Sequence, residues 1–303
     1  MTIMKRKYKV VLGLLAAFGG KLSRKYMQKL VFLFCERNDS SLFTFIPFRY
    51  GCFSEELATL QESFIQDGYL KKNELWELSD KGRKQTVDID LFDSEAIQKL
   101  TRRFGTLTES EIIKYVYQTH PYYAINSVIL DKILSPEEQK PILLLKRKLK
   151  NEIDNKKIVS IGYEGYTIDD YIKILLDNRV KVLCDVRKNP ISRKKGFSKS
   201  ALSFALEKLH ITYYHFPELG IPSNMRQKLI SQEDYDKLFC FYEENILSKN
   251  FSYIEEISSF LDKFGTVALL CFEKNPNQCH RTRIVNRILE YRENDVKAIT
   301  SCQ

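Results

Sequence analysis

From Lys157 to the carboxyl terminus, short apolar runs alternate with segments of helical spacing. That alternation restricts this half of the chain to a layered α/β domain with a mostly parallel sheet. Ile158–Gly162, Val180–Val186, Ile211–Phe216 and Thr266–Phe272 are short and rich in branched and aromatic residues, so they read as strands. Between them, Ile168, Tyr171, Ile172 and Leu175 share one helical face, and helices are expected over Ser198–Leu209, Glu233–Leu247 and Phe251–Phe264. Ile284, Val285, Ile288 and Leu289 place a last helix from Thr282 onward.

The final strand, loop and helix carry the densest chemistry. Asn275-Pro-Asn is turn chemistry. Cys271 and Glu273 fall at the carboxyl end of the strand, and Cys279, His280 and Arg281 at the start of the helix. In open α/β sheets ligands bind along that edge, and a helix start offers free N–H groups to an anion. Asp185 and Arg187 follow the second strand to the same edge. There is no Gly-x-Gly-x-x-Gly after the first strand and no Gly-x-x-x-x-Gly-Lys, so neither a dinucleotide loop nor an ATP loop is supported.

The amino-terminal half follows another plan. Lys7–Phe18 and Ser23–Glu36 read as helices, and a third starts at Ser54-Glu55-Glu56-Leu57 and ends at Gly68. Tyr69–Leu78 reads as two strands around Lys72-Asn73, and Ser79–Gly82 opens a further helix. Three helices followed by a β-ribbon are the plan of a winged helix-turn-helix. Residues 1–87 hold 15 basic and 9 acidic side chains, which accounts for most of the formal net charge of +9 and suits a polyanion. The groove-reading position falls to the third helix, yet that helix carries Glu55, Glu56, Glu62 and Asp67 and no basic residue. Nucleic-acid contact is therefore assigned to Lys21, Arg24, Lys25, Lys71 and Lys72, with contact to a protein partner as the alternative. The stretches Lys25–Phe32, Phe45–Leu57, Leu107–Tyr117 and Pro121–Ser127 resemble the winged-helix domains of the YwgA-like proteins of prokaryotes over roughly residues 8–130. The resemblance implies an interaction or DNA-binding module without catalytic residues.

Ser135-Pro136-Glu137-Glu138 is a helix start, and the helix runs into the polar stretch Asn151–Lys157. The expected organisation is a winged-helix domain with a helical extension over 1–135, a linker helix over 136–156 and a Rossmann-like α/β domain over 157–303. The seven cysteines show no framework spacing and read as reduced thiols, no apolar run is long enough to span a membrane, and a cytoplasmic protein is expected.

Ile161–Gly165, Asp185–Arg193, Gly196–Lys199, Pro217–Gly220 and Cys271–Arg281 together resemble the family catalogued as domain of unknown function 488, from residue 157 to about 300. That resemblance implies a Rossmann-like α/β fold and one site shared by these motifs, and it assigns no activity. Asp185, Glu273, His280 and Cys279 are the candidate catalytic residues. Asp185 and Glu273 are read as a general base with an electrostatic partner, and Cys279 as a low-pKa thiol at a helix start. Tyr163, Glu164, Arg187, Arg193, Lys195, Glu218 and Arg281 are the candidates for holding phosphate or ligand. The loop Arg187–Lys199 adds an aromatic, Phe197, to a run of basic residues, which suits a nucleotide or single strand. No metal ligands are assigned: there is no Cys-x-x-Cys, and Cys184 and Cys271 lie inside apolar strands as small hydrophobes. A divalent ion stays compatible with the reading, and no cofactor is identified. The expectation is a nucleotide- or nucleic-acid-directed hydrolase brought to its target by the amino-terminal domain. The alternatives are a ligand-sensing DNA-binding regulator without catalysis and a protein-binding adaptor.

Overall fold

The computed structural model describes residues 3–39, 41–85, 89–151, 156–226, 229–293 and 295–300. The chain divides into two compact units, Met1–Lys148 and Leu149–Gln303.

In the first unit, α1 (Ile3–Ala17) leads through β1 (Lys21–Leu22) into α2 (Arg24–Asn38). The Ser23 hydroxyl accepts from the Tyr26 N–H and caps α2. A short hairpin of β2 (Ile46–Phe48) and β3 (Gly51–Phe53) precedes α3 (Glu55–Gln66), which Ser54 caps. β4 (Trp76–Glu77) pairs antiparallel with β1, and within 69–78 a single bridge joins Leu70 to Leu78, so the strand partner of β4 is β1 rather than the first half of the ribbon expected there. Then come α4 (Asp80–Gln85), α5 (Leu91–Phe104), α6 (Glu109–Thr119), α7 (Leu130–Ile133) and α8 (Pro136–Asn151). One core joins them: Val10, Leu14, Met27, Leu30, Phe34, Phe64, Trp76, Phe104 and Val116 are all buried in it. Ile142 of α8 belongs to the same core, so the helix read as a linker packs on this unit over its first turns.

In the second unit, β5 (Lys157–Gly162), α9 (Ile168–Asp177), β6 (Val182–Asp185), α10 (Lys199–Glu207) and β7 (Thr212–His215) alternate as expected. They are followed by α11 (Gln232–Tyr242), α12 (Phe251–Phe264), β8 (Thr266–Cys271), α13 (Arg281–Tyr291) and β9 (Lys297–Thr300). The five strands form one parallel sheet in the order β7-β6-β8-β5-β9. β8 is central and wholly buried, because Val267, Ala268, Leu269 and Leu270 pack on both faces. Successive side chains on a strand point to opposite faces. Val267, Leu269 and Cys271 therefore share one face, where they meet Phe239, Tyr242, Ile254, Leu261, Ile284 and Ile288 of α11, α12 and α13. Leu270 points the other way.

Lys29 is buried inside the first core, 1% exposed. Its Nζ donates to the Cys52 carbonyl at 3.0 Å, and among the described residues no carboxylate is bonded to it. Burial depresses its pKa below the ordinary lysine value. Between its depressed pKa and the ordinary lysine value near 10 the unfolded chain binds more protons than the folded one, so stability rises with pH in that window by up to about 1.4 kcal/mol per pH unit. Chemical denaturation from pH 6 to 10 should show this slope in the wild type. In Lys29→Met the slope should flatten, with stability at pH 7 equal or greater; an unchanged slope would place the titration elsewhere.

Candidate active site

Two polar centres lie at the carboxyl edge of the sheet. The first is built on β6. Asp185 is the last residue of that strand and is 0% exposed. Its carboxylate accepts from Arg187 Nε at 2.8 and 3.1 Å, from Arg187 Nη2, from the Arg187 backbone N–H at 3.1 Å and from the Tyr213 hydroxyl at 2.6 Å. Arg187 also donates to the Phe197 carbonyl at 2.9 Å and the Tyr163 hydroxyl at 3.2 Å. Tyr163 stacks on Phe197 with ring centroids 4.4 Å apart. This is a sealed clamp that fixes the 187–197 loop.

The second centre is built on β8 and α13. Cys271 ends β8, the loop turns through Pro276–Gln278 under an Asn275 cap, and His280 and Arg281 open α13. Glu273 Oε2 lies 3.1 Å from Cys271 Sγ and accepts from Cys279 Sγ at 3.2 Å. His280 Nδ1 lies 3.8 Å from Cys271 Sγ, and its Nε2 is 3.0 Å from the Val186 carbonyl. A carbonyl only accepts, so Nε2 carries a proton there. Arg226 Nη2, which only donates, is 3.2 Å from Nδ1 and makes that atom an acceptor. The other nitrogen of Arg226, Nη1, meets Glu273 Oε1. Arg281, 1% exposed, donates from Nε to Cys279 Sγ at 3.1 Å and from Nη2 to the Glu273 carbonyl at 2.6 Å. Its Nη1 is buried without a hydrogen-bond partner among the described residues. Gly162 admits this arrangement, because a Cβ there would stand 1.8 Å from the Glu273 carbonyl oxygen and 2.9 Å from Arg281 Nη2.

Charge follows from burial and neighbours. Burial pushes the Cys271 thiol up, but the hydrogen bond from Cys279, the His280 ring and the Arg226 charge outweigh it, and Cys271 falls well below an ordinary thiol. Cys279 moves the other way, raised by burial and by the adjacent Cys271 sulfur. Burial, and then the Cys271 charge, raise Glu273. The low-pKa thiol expected at Cys279 is thus Cys271.

The structure separates residues that the sequence reading joins. Asp185 is in register with Leu270, so it faces the side opposite Cys271. The expected meeting of Asp185 with Glu273 is corrected: Glu273 sits with the two thiols, and Asp185 is enclosed by Arg187 and Tyr213. Arg187 and Arg281 were read as phosphate ligands, but both are buried and bonded to protein groups. Arg193 and Lys195 are exposed, Glu164 is exposed and accepts from the Lys274 N–H at 3.0 Å, and Glu218 is half-buried. The four donor groups Cys271, Glu273, Cys279 and His280 present one ligand atom each within 4.8 Å of one another, although no metal ligands were expected. Cys184 stays a core thiol, as read. Arg226 and Tyr213 were missed. Arg226 lies in a polar stretch without periodicity, and Tyr213 could have been found as the strand residue paired beside Leu183.

Residues 167–288 match the model of the family described as Domain of unknown function DUF488. The matched segment runs from the start of α9 into α13 and includes Asp185, Arg187, Cys271, Glu273, Cys279, His280 and Arg281, while Gly162 and Tyr163 precede it. No curated protein and no solved structure matches this chain.

In the first unit, Lys21 and Lys71 face Glu77 at 3.6 and 2.7 Å, and Lys25 faces Glu109 at 3.2 Å. Arg24 and Lys72 are exposed.

Because Asp185 is enclosed, Asp185→Asn should destabilise the fold by about 3–5 kcal/mol by stranding a buried guanidinium. The double variant Asp185→Leu with Arg187→Met should recover most of that loss. Urea unfolding of the three proteins checks this; equal losses in the single and double variants would show that the pair is not coupled.

Proposed function

We propose that the α/β unit is a hydrolase acting on a nucleotide or nucleic acid, with Glu273 as the general base, and that the first unit recruits it as a winged-helix module in a reducing cytoplasm. The observation that carries this reading is the placement of Glu273. Its side chain is 20% exposed, whereas Cys271, Cys279, His280 and Arg281 beside it are each 1% exposed. With Arg226 it is open to water, at the sheet edge where α/β folds bind ligands. A carboxylate there can take a proton from a water as the water adds to phosphorus or to a sugar carbon, and can return it to the leaving group. Arg226 is 27% exposed and lies against Glu273, so it can also meet negative charge that develops on the substrate.

The substrate class comes from the loop beside the site. Lys188, Arg193, Lys195 and Lys199 are exposed along it, and Arg187 and Lys194 hold it in place, the latter by donating to the Tyr163 carbonyl at 3.1 Å. A fixed loop with outward positive charge suits phosphate groups. In the first unit, the Leu70–Leu78 bridge follows three helices and β4 pairs with β1 from between the first two, a small sheet that supports the winged-helix reading. His280 has both ring nitrogens engaged and acts here by positioning.

Glu273→Gln should lower turnover by about 10²–10⁴ while substrate affinity stays within a few-fold. The check is to incubate wild type and variant with single- and double-stranded DNA, RNA and a nucleotide panel and to follow products by mass spectrometry. Products formed equally by both proteins would remove Glu273 from the mechanism. Ligand binding without any product would favour a sensor.

A further inference from the structure

The two thiols, the imidazole and the carboxylate do more than surround a base. Tetrahedral zinc with Zn–S of about 2.3 Å and Zn–N or Zn–O of about 2.0–2.1 Å requires ligand atoms roughly 3.3–3.8 Å apart. Here Cys271 Sγ to His280 Nδ1 is 3.8 Å, the two thiols lie 3.1 and 3.2 Å from Glu273 Oε2, and all four atoms fall within 4.8 Å. We infer that Cys271, Cys279 and His280 hold a thiophilic divalent cation, zinc by its chemistry, with Glu273 at the fourth corner of the tetrahedron.

Three further features fit a metal centre. A ligating histidine ordinarily donates its second ring N–H to a carbonyl or carboxylate, which fixes the tautomer. His280 does this through Nε2 to Val186 and so turns the bare Nδ1 into the cluster. Arg281 Nε donates to Cys279 Sγ, the kind of outer hydrogen bond that orients a thiolate ligand. A second guanidinium, Arg226, faces the donors and contacts Glu273 Oε1 and His280 Nδ1. A cation bound at Nδ1 takes over that role, and the guanidinium moves off the imidazole. The cysteines are rigidly set, one by the buried end of β8 and the other by the Pro276–Gln278 turn. Two thiolates, an imidazole and a carboxylate fill all four corners, the closed pattern of a structural zinc site, and a catalytic role needs Glu273 to yield its corner to water. The role of Glu273 in activating that water rests on the hydrolytic reading above; the metal site itself does not.

The full chain, purified reduced and without a polyhistidine tag, should carry one zinc per molecule. Reloaded with cobalt(II), it should show thiolate-to-cobalt charge-transfer absorption and the visible bands of a tetrahedral ion. Zinc-edge X-ray absorption should show two sulfur ligands and one imidazole. Cys271→Ser and Cys279→Ser should lower zinc affinity by more than the roughly 100-fold expected for loss of an outer hydrogen-bond partner. Glu273→Gln should keep the metal, and Arg226→Met should bind it more tightly. Absence of zinc and of cobalt bands while both thiols titrate as reduced would overturn the inference. So would an absorption spectrum of wild type without sulfur ligands, a reading that holds even if a cysteine variant fails to fold. Zinc bound with no turnover on any nucleotide or nucleic acid would keep the site and sink the hydrolase. Turnover by protein that carries no zinc and takes up no cobalt would do the reverse.

Discussion

The guanidinium of Arg281 is the buried charge on which the carboxyl edge of the α/β unit is arranged. It is 1% exposed at the first position of α13, where it cannot be solvated. A buried cation needs acceptors within reach. The loop after β8 supplies them, with the Glu273 carbonyl on one side and the Cys279 sulfur on the other. Holding those two acceptors fixes the path of residues 273–279 and delivers Cys279, His280 and Glu273 to the end of β8. The Pro276–Gln278 turn, the Asn275 cap and the Thr282 hydroxyl bonded to the Pro276 carbonyl at 2.7 Å reinforce the same path.

Most of the α/β unit was legible because each strand is a short, continuous apolar run and each helix has one apolar face. β9 was not: Lys297–Thr300 is an edge strand with exposed residues and lacks that signal. In the first unit α5 and α6 were passed over, although Asp90 and the Thr108–Glu111 capping box mark their starts in the sequence. The site was legible as a neighbourhood but not as a geometry. Asp185 and Glu273 both follow strands to the same edge, yet an edge has two faces. Only the register between β6 and β8 says that Asp185 goes with Leu270 and Glu273 with Cys271. Strand alternation could have raised the question; the register that answers it depends on which strands are neighbours, and that order is not sequential.

The first unit shows how far charge counting reaches. Its basic excess is real, but Lys21, Lys25 and Lys71 lie against Glu77 and Glu109, and Lys29 is enclosed in the core. What this unit offers a polyanion is therefore smaller than its composition suggests. Exposed ion pairs of this kind are weak, about 0–1 kcal/mol, so a phosphate can compete for those lysines, whereas Lys29 is out of reach.

The missing side chain at Gly162 ties the first strand of the α/β unit to the last helix. The strand end, the Glu273 carbonyl and the Arg281 guanidinium occupy the space that any Cβ would need. The two positions, more than a hundred residues apart in sequence, therefore form one inheritance unit. A sequence that keeps the arginine must keep glycine at the end of β5, and one that gains a side chain there must lose the arginine and re-route the loop that carries Glu273. Co-occurrence of that glycine and that arginine is thus a compact signature for finding other chains that carry the same centre.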